Sequence, residues 1–337
     1  MQKKSKYNIA IAGATGAVGE EFLRVLAKRN FPIGELRLLA SKKSVGKKMK
    51  FCGKEYPVSL LTHDSFKNID IALFSAGGAR SLEFAPSAVK AGAVVVDNSS
   101  VYRMDPNVPL VVPEVNPEDI AKHKGIIANP NCTTIIAAMA IWPIHCLAPI
   151  KRMTIATYQA VSGAGAKAID ELESQTRAYL EGKPVARGAI FKHPIAFNLF
   201  SHDSAVGEEG YSQEEMKVVH ETRKIFHDKE ILVSPTCVRV PIFRAHAEAI
   251  HLELGKPVSV EKVRQALAKM PGVKVVDSPK ENYFPMPVDV SGKDEVYVGR
   301  IRKDLWIENG INLFVCGDQI LKGAALNAVQ IAEKLIS

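Results

Sequence analysis

A cysteine in the run Asn129-Pro-Asn-Cys-Thr-Thr134 occupies the position in this chain that best suits covalent chemistry. It follows a strand-like stretch, 125–128, and stands at the start of an almost wholly apolar helix predicted over 133–145. A helix N-terminus carries partial positive charge and unpaired N–H groups, which favour the reactive thiolate. Cys132 is therefore predicted to be a nucleophile. Its position alone is equally compatible with a buried cysteine that packs as a small apolar side chain.

A glycine-rich turn near the start of the chain predicts a dinucleotide site. The apolar strand 8–12 leads into Gly13, Gly16 and Gly19, and a helix is predicted over 20–29. Glycines let the backbone turn tightly and approach a diphosphate, which then lies at the helix N-terminus. The spacing is G-x-x-G-x-x-G rather than the usual G-x-G-x-x-G, so a purely structural turn is the alternative.

The second predicted strand, 36–40, ends in the loop Ser41-Lys-Lys-Ser-Val-Gly46, which bears on the choice of cofactor. An enzyme that uses NAD usually carries an aspartate or glutamate here for the ribose 2′-hydroxyl. This loop has hydroxyls and lysines instead, which suit a 2′-phosphate. The loop predicts NADP, with Ser41, Lys43 and Ser44 as contacts, and a solvated basic loop is the alternative.

The composition is that of a globular enzyme large enough for two domains. The 337 residues are 47% hydrophobic and 24% charged. No apolar run reaches the roughly 18 residues of a transmembrane helix. The net charge is +8, but the basic residues are scattered and form no aromatic–basic stripe. We expect small anionic molecules as substrates, with no nucleic acid and no membrane as partners.

The cysteines and the start of the chain favour a cytoplasmic protein with reduced thiols. The basic first residues precede an apolar run that is too short for a signal peptide and breaks at Gly13. No C-x-x-C or H-E-x-x-H spacing occurs, so no protein-bound metal is expected. The five cysteines show no close pairing pattern; they are Cys52, Cys132, Cys146, Cys237 and Cys316.

The order of predicted elements indicates a Rossmann-type doubly wound parallel sheet followed by an α+β domain with a mainly antiparallel sheet. We predict a cofactor-binding domain over 1–130, a catalytic and dimerisation domain over 131–316, and a C-terminal helix, 317–337, that returns to the first domain. The stretch 183–209 is expected to be irregular and functional. Predicted strands are 8–12, 36–40, 69–75, 93–97, 110–112, 125–128, 153–161, 231–240, 245–254, 295–302 and 311–316, and further predicted helices are 79–91, 167–181, 259–270 and 322–336.

Six stretches stand in order along the chain: Gly13-Ala-Thr-Gly-Ala-Val-Gly19, Asp97-Asn-Ser-Ser-Val-Tyr-Arg103, Asn129-Pro-Asn-Cys-Thr-Thr134, Tyr158-Gln-Ala-Val-Ser-Gly-Ala-Gly165, Cys237-Val-Arg-Val-Pro-Ile-Phe-Arg-Ala-His246 and Gly317-Asp-Gln-Ile-Leu-Lys-Gly-Ala-Ala-Leu-Asn327. Together they closely resemble aspartate-semialdehyde dehydrogenases. The resemblance implies NADPH-dependent conversion of L-aspartyl-4-phosphate into L-aspartate 4-semialdehyde and phosphate. That step serves lysine (through diaminopimelate), methionine, threonine and isoleucine synthesis. A homodimer or a dimer of dimers is also implied.

The resemblance assigns the chemistry to two residues. Cys132 is implied to form an acyl-thioester, and His246 to be the general acid/base, which suits a histidine near its ordinary pKa. His251 falls on the opposite face of the same predicted strand, so we expect a structural role for it.

Other residues are implied to hold the substrate. Arg239 would clamp the α-carboxylate with two hydrogen bonds, and Glu214 would face the α-ammonium. Gln159 would position the substrate, and Asn131 would hold it or donate to the developing oxyanion.

Arg103 and Lys217 are implied to bind the phosphate. From the sequence alone, an exposed helix face remains the alternative for Glu214 and Lys217. A surface salt bridge remains the alternative for Arg103 and Arg239.

The chain departs from the family pattern at two cofactor positions. Lys43 stands where many members carry arginine, which leaves strict NADP preference open, and Gln319 stands where many carry asparagine. The implied cofactor contacts are Gly13, Ala14, Thr15, Gly16, Ala17, Val18, Ser162, Gly163 and Gln319.

Two other functions compete with this interpretation. N-acetyl-γ-glutamyl-phosphate reductase performs the same chemistry on a longer, acetylated acyl phosphate, which has no charged amine to pair with Glu214. A non-catalytic NADP-binding relative should have lost Cys132 or His246, and this chain keeps both.

Overall fold

The computed structural model describes residues 3–337, which form two compact units. The first unit comprises the described residues up to Asn131 together with Ala324–Ser337, and the second comprises Cys132–Gly323. Among residues 3–337, no helix is long and apolar enough to cross a membrane.

The first unit contains a seven-stranded sheet in the order β3-β4-β2-β1-β5-β6-β7. All neighbouring strands are parallel except the β3–β4 hairpin. This order confirms the predicted doubly wound fold, in which ligands bind beyond the carboxyl ends of the strands. The strands are Tyr7–Ala12 (β1), Ile33–Ala40 (β2), Lys48–Phe51 (β3), Lys54–Leu60 (β4), Ile71–Phe74 (β5), Val94–Asp97 (β6) and Ile126–Ala128 (β7).

Three long helices belong to this unit, and the last comes from the end of the chain. They are Ala17–Lys28 (α1), Gly78–Lys90 (α2) and Leu326–Ile336 (α8). Arg29 forms two hydrogen bonds of 2.6 and 2.7 Å to the carboxylate of Glu333 on α8. Asn327 donates to the Val111 carbonyl at 2.9 Å and to Asn129 Oδ1 at 2.7 Å. The predicted return of the C-terminal helix to the first sheet is thus confirmed.

The structure corrects the strand predicted over 110–112. Of these residues only Leu110 forms a β-bridge, to Ala128. The side chain of Asn116 instead forms hydrogen bonds with the backbone of Leu110 and Val112. Its Oδ1 accepts from the Val112 N–H and its Nδ2 donates to the Leu110 carbonyl, both at 2.9 Å. The lysine-rich β3–β4 hairpin was not predicted from the sequence. Its turn residues Cys52 and Gly53 both have positive φ.

The second unit contains a second seven-stranded sheet, ordered β12-β13-β14-β11-β8-β10-β9. Four of its six neighbouring pairs are antiparallel, which confirms the predicted mainly antiparallel sheet. The strands are Ile150–Gln159 (β8), Phe200–Ser201 (β9), Leu232–Arg239 (β10), His246–Leu254 (β11), Val273–Val275 (β12), Val296–Lys303 (β13) and Gly310–Gly317 (β14).

Helix α3 covers one face of this sheet and is buried over most of its length. A capping box in which Ser212 and Glu215 bond each other's backbone N–H fixes the start of α5. A π-helical turn, Leu321–Ala325, precedes α8, so α8 begins later than the predicted residue 322. The helices of this unit are Cys132–Leu147 (α3), Ala166–Leu180 (α4), Gln213–Ile225 (α5), Val260–Lys269 (α6) and Pro287–Val290 (α7).

The glycine turn after β1 has a steric cause that predicts the effect of substituting Gly13. Gly13 has φ +88°, and a Cβ there would lie 2.2 Å from the carbonyl oxygen of Ser75. We expect Gly13→Ala to lower the free energy of unfolding by about 2 kcal/mol or more, because strain and a backbone clash add. Urea unfolding without cofactor measures this change. Gly16→Ala is the control, since a Cβ at Gly16 meets only the Gly13 carbonyl oxygen, at 3.4 Å. Equal destabilisation of both variants would contradict the account.

Candidate active site

Cys132 and His246 meet at one end of the strands of the second sheet. Cys132 is the first residue of α3, and His246 is the first residue of β11. The Sγ of Cys132 lies 3.5 Å from Nε2 of His246. The structure therefore brings the predicted nucleophile and its predicted partner into contact.

The backbone of Ala160 determines which nitrogen of His246 carries a proton. The Ala160 N–H donates to Nδ1 of His246 at 3.0 Å. A backbone N–H cannot accept a hydrogen bond, so Nδ1 must present its lone pair and the proton of the neutral ring lies on Nε2. That proton points at the Cys132 sulfur and can stabilise a thiolate there.

The expected near-ordinary pKa of His246 is wrong. Burial of the fully enclosed ring, reinforced by the positive charge of Arg239, lowers the pKa of His246 to about 3. Complete burial also raises the pKa of the carboxyl of Glu248, two residues further along the same strand, well above the usual range. At neutral pH the ring is therefore an uncharged hydrogen-bond donor.

Three predicted residues line the end of the second sheet. Arg239 ends β10 and is paired in register with Gln159, which ends the adjacent β8. The neighbouring pair Ala247–Tyr158 places His246 beside Gln159 on β11. All three side chains are buried, so Arg239 is not in a surface salt bridge.

The Arg239 guanidinium is held by the same residue that orients His246. Its Nη1 donates to the Ala160 carbonyl at 2.9 Å, and its Nη2 lies 2.8 Å from Nε2 of His202. Its Nε has no hydrogen-bond partner among residues 3–337. Burial lowers the pKa of Arg239, against the opposing carboxylates of Asp203 and Glu214. The group still carries its charge, because the ordinary pKa of arginine is so high.

Glu214 and Lys217 form a pair at the start of α5. Glu214 is buried, accepts from Gln159 Nε2 at 3.1 Å, and accepts from Lys217 Nζ at 2.8 Å. Gln159 also donates to Thr133 Oγ1 at 3.0 Å. Glu214 is therefore not on an exposed helix face, and its carboxylate belongs to the same polar cluster as Gln159.

Gly163 leaves space beside the buried side chains of Arg239 and His246. A Cβ at Gly163 would lie 3.4 Å from Arg239 Nη1, and 3.5 and 3.6 Å from Cε1 and Nε2 of His246. The absent side chain keeps the space beside both residues open for a small molecule.

The turn after β14 holds the backbone that immediately precedes His246. Asp318 is fully buried and accepts from Arg244 Nε at 2.6 Å and from the Gly292 N–H at 2.7 Å. Gln319 accepts from the N–H of Ala245 at 2.8 Å and donates to Ser162 Oγ. Ala245 has φ +73°, so a strained residue immediately precedes His246 and is tied down by Gln319.

Within the first unit, the predicted cofactor residues surround the end of β1 and β2. The N–H groups of Gly13 and Ala14 donate to the Leu39 carbonyl at 2.9 and 3.1 Å. Thr15 Oγ1 bonds Ser44 Oγ at 3.1 Å. The glycine turn at Gly13 and the basic loop at Ser44 therefore lie next to each other. The other predicted residues here are Gly16, Ala17 and Val18 at the start of α1, and Ser41 and the exposed Lys43 beside Ser44.

Arg103 is buried in the first unit. Its Nε donates to the Asn129 carbonyl at 2.9 Å and its Nη2 to the Asn98 carbonyl at 2.8 Å. Asn131, which is also buried, is the last residue of this unit.

Sequence reasoning missed four supporting residues. Ala160 acts through its backbone N–H and carbonyl, which every residue type except proline provides, so its identity gave no signal. Asp318 and Gly323 lie in one of the six stretches that resemble the family, but the resemblance assigned them no role. His202 lies in the irregular stretch 183–209, where a histidine among serines and acids gave no pattern.

Comparisons with known proteins identify the family. The family model described as "Semialdehyde dehydrogenase, NAD binding domain" matches residues 8–123, and "Semialdehyde dehydrogenase, dimerisation domain" matches residues 141–322. The aspartate-semialdehyde dehydrogenase of Synechocystis sp. is 55% identical over 98% of both chains. That of Aquifex aeolicus is 56% identical, again over 98% of both chains. The chain belongs to the aspartate-semialdehyde dehydrogenase family.

Solved structures of aspartate-semialdehyde dehydrogenases agree with the fold. Aspartate-semialdehyde dehydrogenase II of Vibrio cholerae, complexed with ASA, superposes with a TM-score of 0.96 at 48% identity, over 99% of both chains. The enzyme of Candida albicans, solved with NADP, has a TM-score of 0.76 at 26% identity, over 98% of both chains.

The contact between Gly323 and Cys132 predicts an effect on catalysis. A Cβ on Gly323 would lie 2.8 Å from the Cβ and 3.2 Å from the Cα of Cys132, so the nucleophile would have to move. We expect Gly323→Ala to lower kcat by about 10² without unfolding the protein, because misplacement of about 1 Å has that effect. Gly255→Ala is the control, since its Cβ would meet only the flexible Lys151 side chain and, at 3.4 Å, the Pro149 carbonyl. Equal kcat in both variants would refute the contact.

The hydrogen bonds of His246 predict its tautomer and its titration. Nitrogen-15 NMR of the imidazole should show a neutral ring protonated on Nε2 from about pH 5.5 to 8, because the pKa of His246 is lowered to about 3. The signal that is missing from the spectrum of the His246→Asn variant is assigned to His246. The account fails if this ring titrates near its ordinary pKa, or carries its proton on Nδ1.

Proposed function

We propose that the protein is an NADP-dependent aspartate-semialdehyde dehydrogenase that works through a Cys132 acyl-thioester. It converts L-aspartyl-4-phosphate and NADPH into L-aspartate 4-semialdehyde and phosphate. The contact of 3.5 Å between Cys132 Sγ and a proton-bearing His246 Nε2 carries the proposal. The family comparisons support the same substrate.

Cys132 divides the reaction into two easier steps. Its thiolate attacks the acyl-phosphate carbon, the bond to the phosphate oxygen breaks, and a thioester remains. Bound NADPH supplies the hydride that reduces the thioester carbon. The C–S bond of the resulting thiohemiacetal then breaks, which releases the aldehyde and restores the thiolate.

His246 stabilises negative charge through its Nε2–H. The hydrogen bond first goes to the thiolate and then to the oxygen of the tetrahedral adduct, where the charge develops. The Ala160 N–H opposes a second proton on Nδ1, so we propose that hydrogen-bond donation is the main role of His246. The acid/base role expected from the sequence remains a prediction.

The polar cluster of the second sheet suits a zwitterionic amino acid. Arg239 offers a guanidinium for the α-carboxylate, and the buried Glu214 offers a carboxylate for the α-ammonium. Gln159, hydrogen-bonded to Glu214, would orient the same end of the substrate. An acetylated amine has no charge for Glu214, so the cluster argues against N-acetyl-γ-glutamyl-phosphate reductase. The roles of Asn131 with the substrate and of Arg103 and Lys217 with phosphate remain predictions.

The first unit fits a dinucleotide that carries a 2′-phosphate. Positive φ at Gly13 and the open surroundings of Gly16 suit a diphosphate beside the start of α1. The loop that holds Ser41, Lys43 and Ser44 contains no carboxylate that would repel a 2′-phosphate. The cofactor contacts predicted for Ser162, Gly163 and Gln319 remain predictions.

We propose that the protein forms at least a dimer through its second unit. The sheet face opposite α3 is partly exposed, and Tyr158 and Phe314 lie on it with their ring centroids 6.4 Å apart. The matched dimerisation domain covers this sheet. A dimer of dimers, a cytoplasmic location and a place in the synthesis of lysine, methionine, threonine and isoleucine belong to the same proposal.

Phosphate dependence tests the proposed reaction. The purified protein should form NADPH from L-aspartate 4-semialdehyde and NADP only when phosphate is present, because phosphate releases the thioester. Cys132→Ser should lose at least about 10³-fold in turnover, since serine is a far weaker nucleophile without a base. Cys146→Ser is the matched control and should keep its activity, because Cys146 lies at the far end of α3. Undiminished turnover in Cys132→Ser would refute the mechanism.

A further inference from the structure

The irregular segment Lys183–Glu209 is fixed to α4 by two buried side chains. The carboxylate of Glu171 accepts from the N–H groups of Ile190 and Phe191 at 2.8 and 3.3 Å. Gln175 Oε1 accepts from the N–H groups of Ile195 and Ala196 at 2.8 and 3.1 Å. Side-chain acceptors thus satisfy the backbone of a segment that has almost no regular structure.

Three residues of this segment surround Arg239. The ring of Phe191 lies 5.5 Å from the Cζ of Arg239, within the range of a cation–π contact. Phe200, on the short strand β9, is paired in register with Arg239. Nε2 of His202 lies 2.8 Å from Arg239 Nη2. The segment therefore forms one wall around the guanidinium.

Both ring nitrogens of His202 face hydrogen-bond partners. A guanidinium only donates, so Nε2 of His202 accepts from Arg239. Nδ1 lies 3.1 Å from Ser204 Oγ, and the Ser204 N–H is directed at Nδ1 at 3.2 Å.

The same network reaches Glu214. Ser204 Oγ accepts from the backbone N–H of Glu214 at 3.1 Å. A chain of hydrogen bonds thus runs from the first turn of α5 through Ser204 and His202 to the guanidinium of Arg239. It connects the two groups that the proposed function assigns to opposite charges of the substrate.

We propose that His202 is a positioning residue that holds Arg239 for the substrate α-carboxylate and thereby makes Lys183–Glu209 part of the substrate site. This inference rests on the proposed function. His202 fixes one edge of the guanidinium through Nη2, and Ala160 fixes Nη1, which leaves Nε as a donor for a carboxylate. His202 itself does not touch the reacting atoms.

Protonation of His202 would break its hydrogen bond with Arg239. Burial lowers the pKa of His202, and Glu214 and Asp203 oppose this effect, whereas Arg239 and Lys217 reinforce it. The ring is therefore neutral and accepting at neutral pH. As the pH falls through the lowered pKa, Nε2 gains a proton, the acceptor is lost and two cations face each other. Affinity for the substrate carboxylate must then fall.

Steady-state kinetics of His202 variants test this inference. His202→Leu removes the acceptor and should raise the KM for L-aspartate 4-semialdehyde about tenfold or more, as expected for a lost hydrogen bond to a charged group. Its kcat and its KM for NADP and phosphate should stay within about threefold of wild type. His202→Gln keeps an acceptor oxygen, so its KM at neutral pH should remain near that of wild type.

The pH profile separates positioning from a structural role. Below the ordinary histidine pKa of about 6.5, the wild-type KM should rise as the pH falls, and the KM of His202→Gln should lack that rise, because an amide does not titrate. His220→Leu, at an exposed position on α5, is the matched control and should keep the wild-type profile.

Three outcomes would overturn the inference: an unchanged KM in His202→Leu, an equal loss in all kinetic constants of both His202 variants, or a pH-dependent rise that persists in His202→Gln. An inactive wild-type protein would instead overturn the proposed function. Thermal unfolding of each variant identifies a change caused by misfolding.

Discussion

The arrangement of the site depends on the backbone of one residue, Ala160. Its N–H fixes the ring of His246 through Nδ1, and its carbonyl fixes the guanidinium of Arg239 through Nη1, at 3.0 and 2.9 Å. A backbone group cannot change its donor or acceptor character, so both side chains are held in one orientation. The Nε2 proton of His246 then faces the sulfur of Cys132.

The burial of the site makes these contacts effective. Electrostatic interactions strengthen when water is excluded, and His246, Arg239 and Gln159 are nearly or fully buried. The same burial keeps His246 uncharged. Its proposed role is therefore to stabilise charge on sulfur and oxygen, and Arg239 supplies a buried positive charge to the site.

The sequence predicted those features that follow from residue type and local pattern. Both sheets, the helix that begins at Cys132, the return of the C-terminal helix and the glycine turn were read from periodicity and motifs. The contact of Cys132 with His246 followed from the family resemblance, since 114 residues separate them in sequence. The exposed-surface alternatives for Arg239 and Glu214 were excluded only by their burial.

What the sequence did not predict depends on tertiary contacts. Asn116 replaces the strand hydrogen bonds at Leu110 and Val112, an effect that no local pattern records. The tautomer of His246 is set by a donor from a distant segment, so residue type alone suggested an ordinary titrating histidine. The role of Lys183–Glu209 became visible only where its residues meet Arg239.

The most direct test of the central claim is to trap the acyl-enzyme. The protein is mixed with L-aspartate 4-semialdehyde and NADP without phosphate, quenched in acid and analysed by intact-mass and peptide mass spectrometry. The account predicts one aspartyl group per chain, attached to the peptide that contains Cys132. An unmodified Cys132 after one equivalent of NADPH has formed, or an adduct on another cysteine such as Cys146, would contradict it.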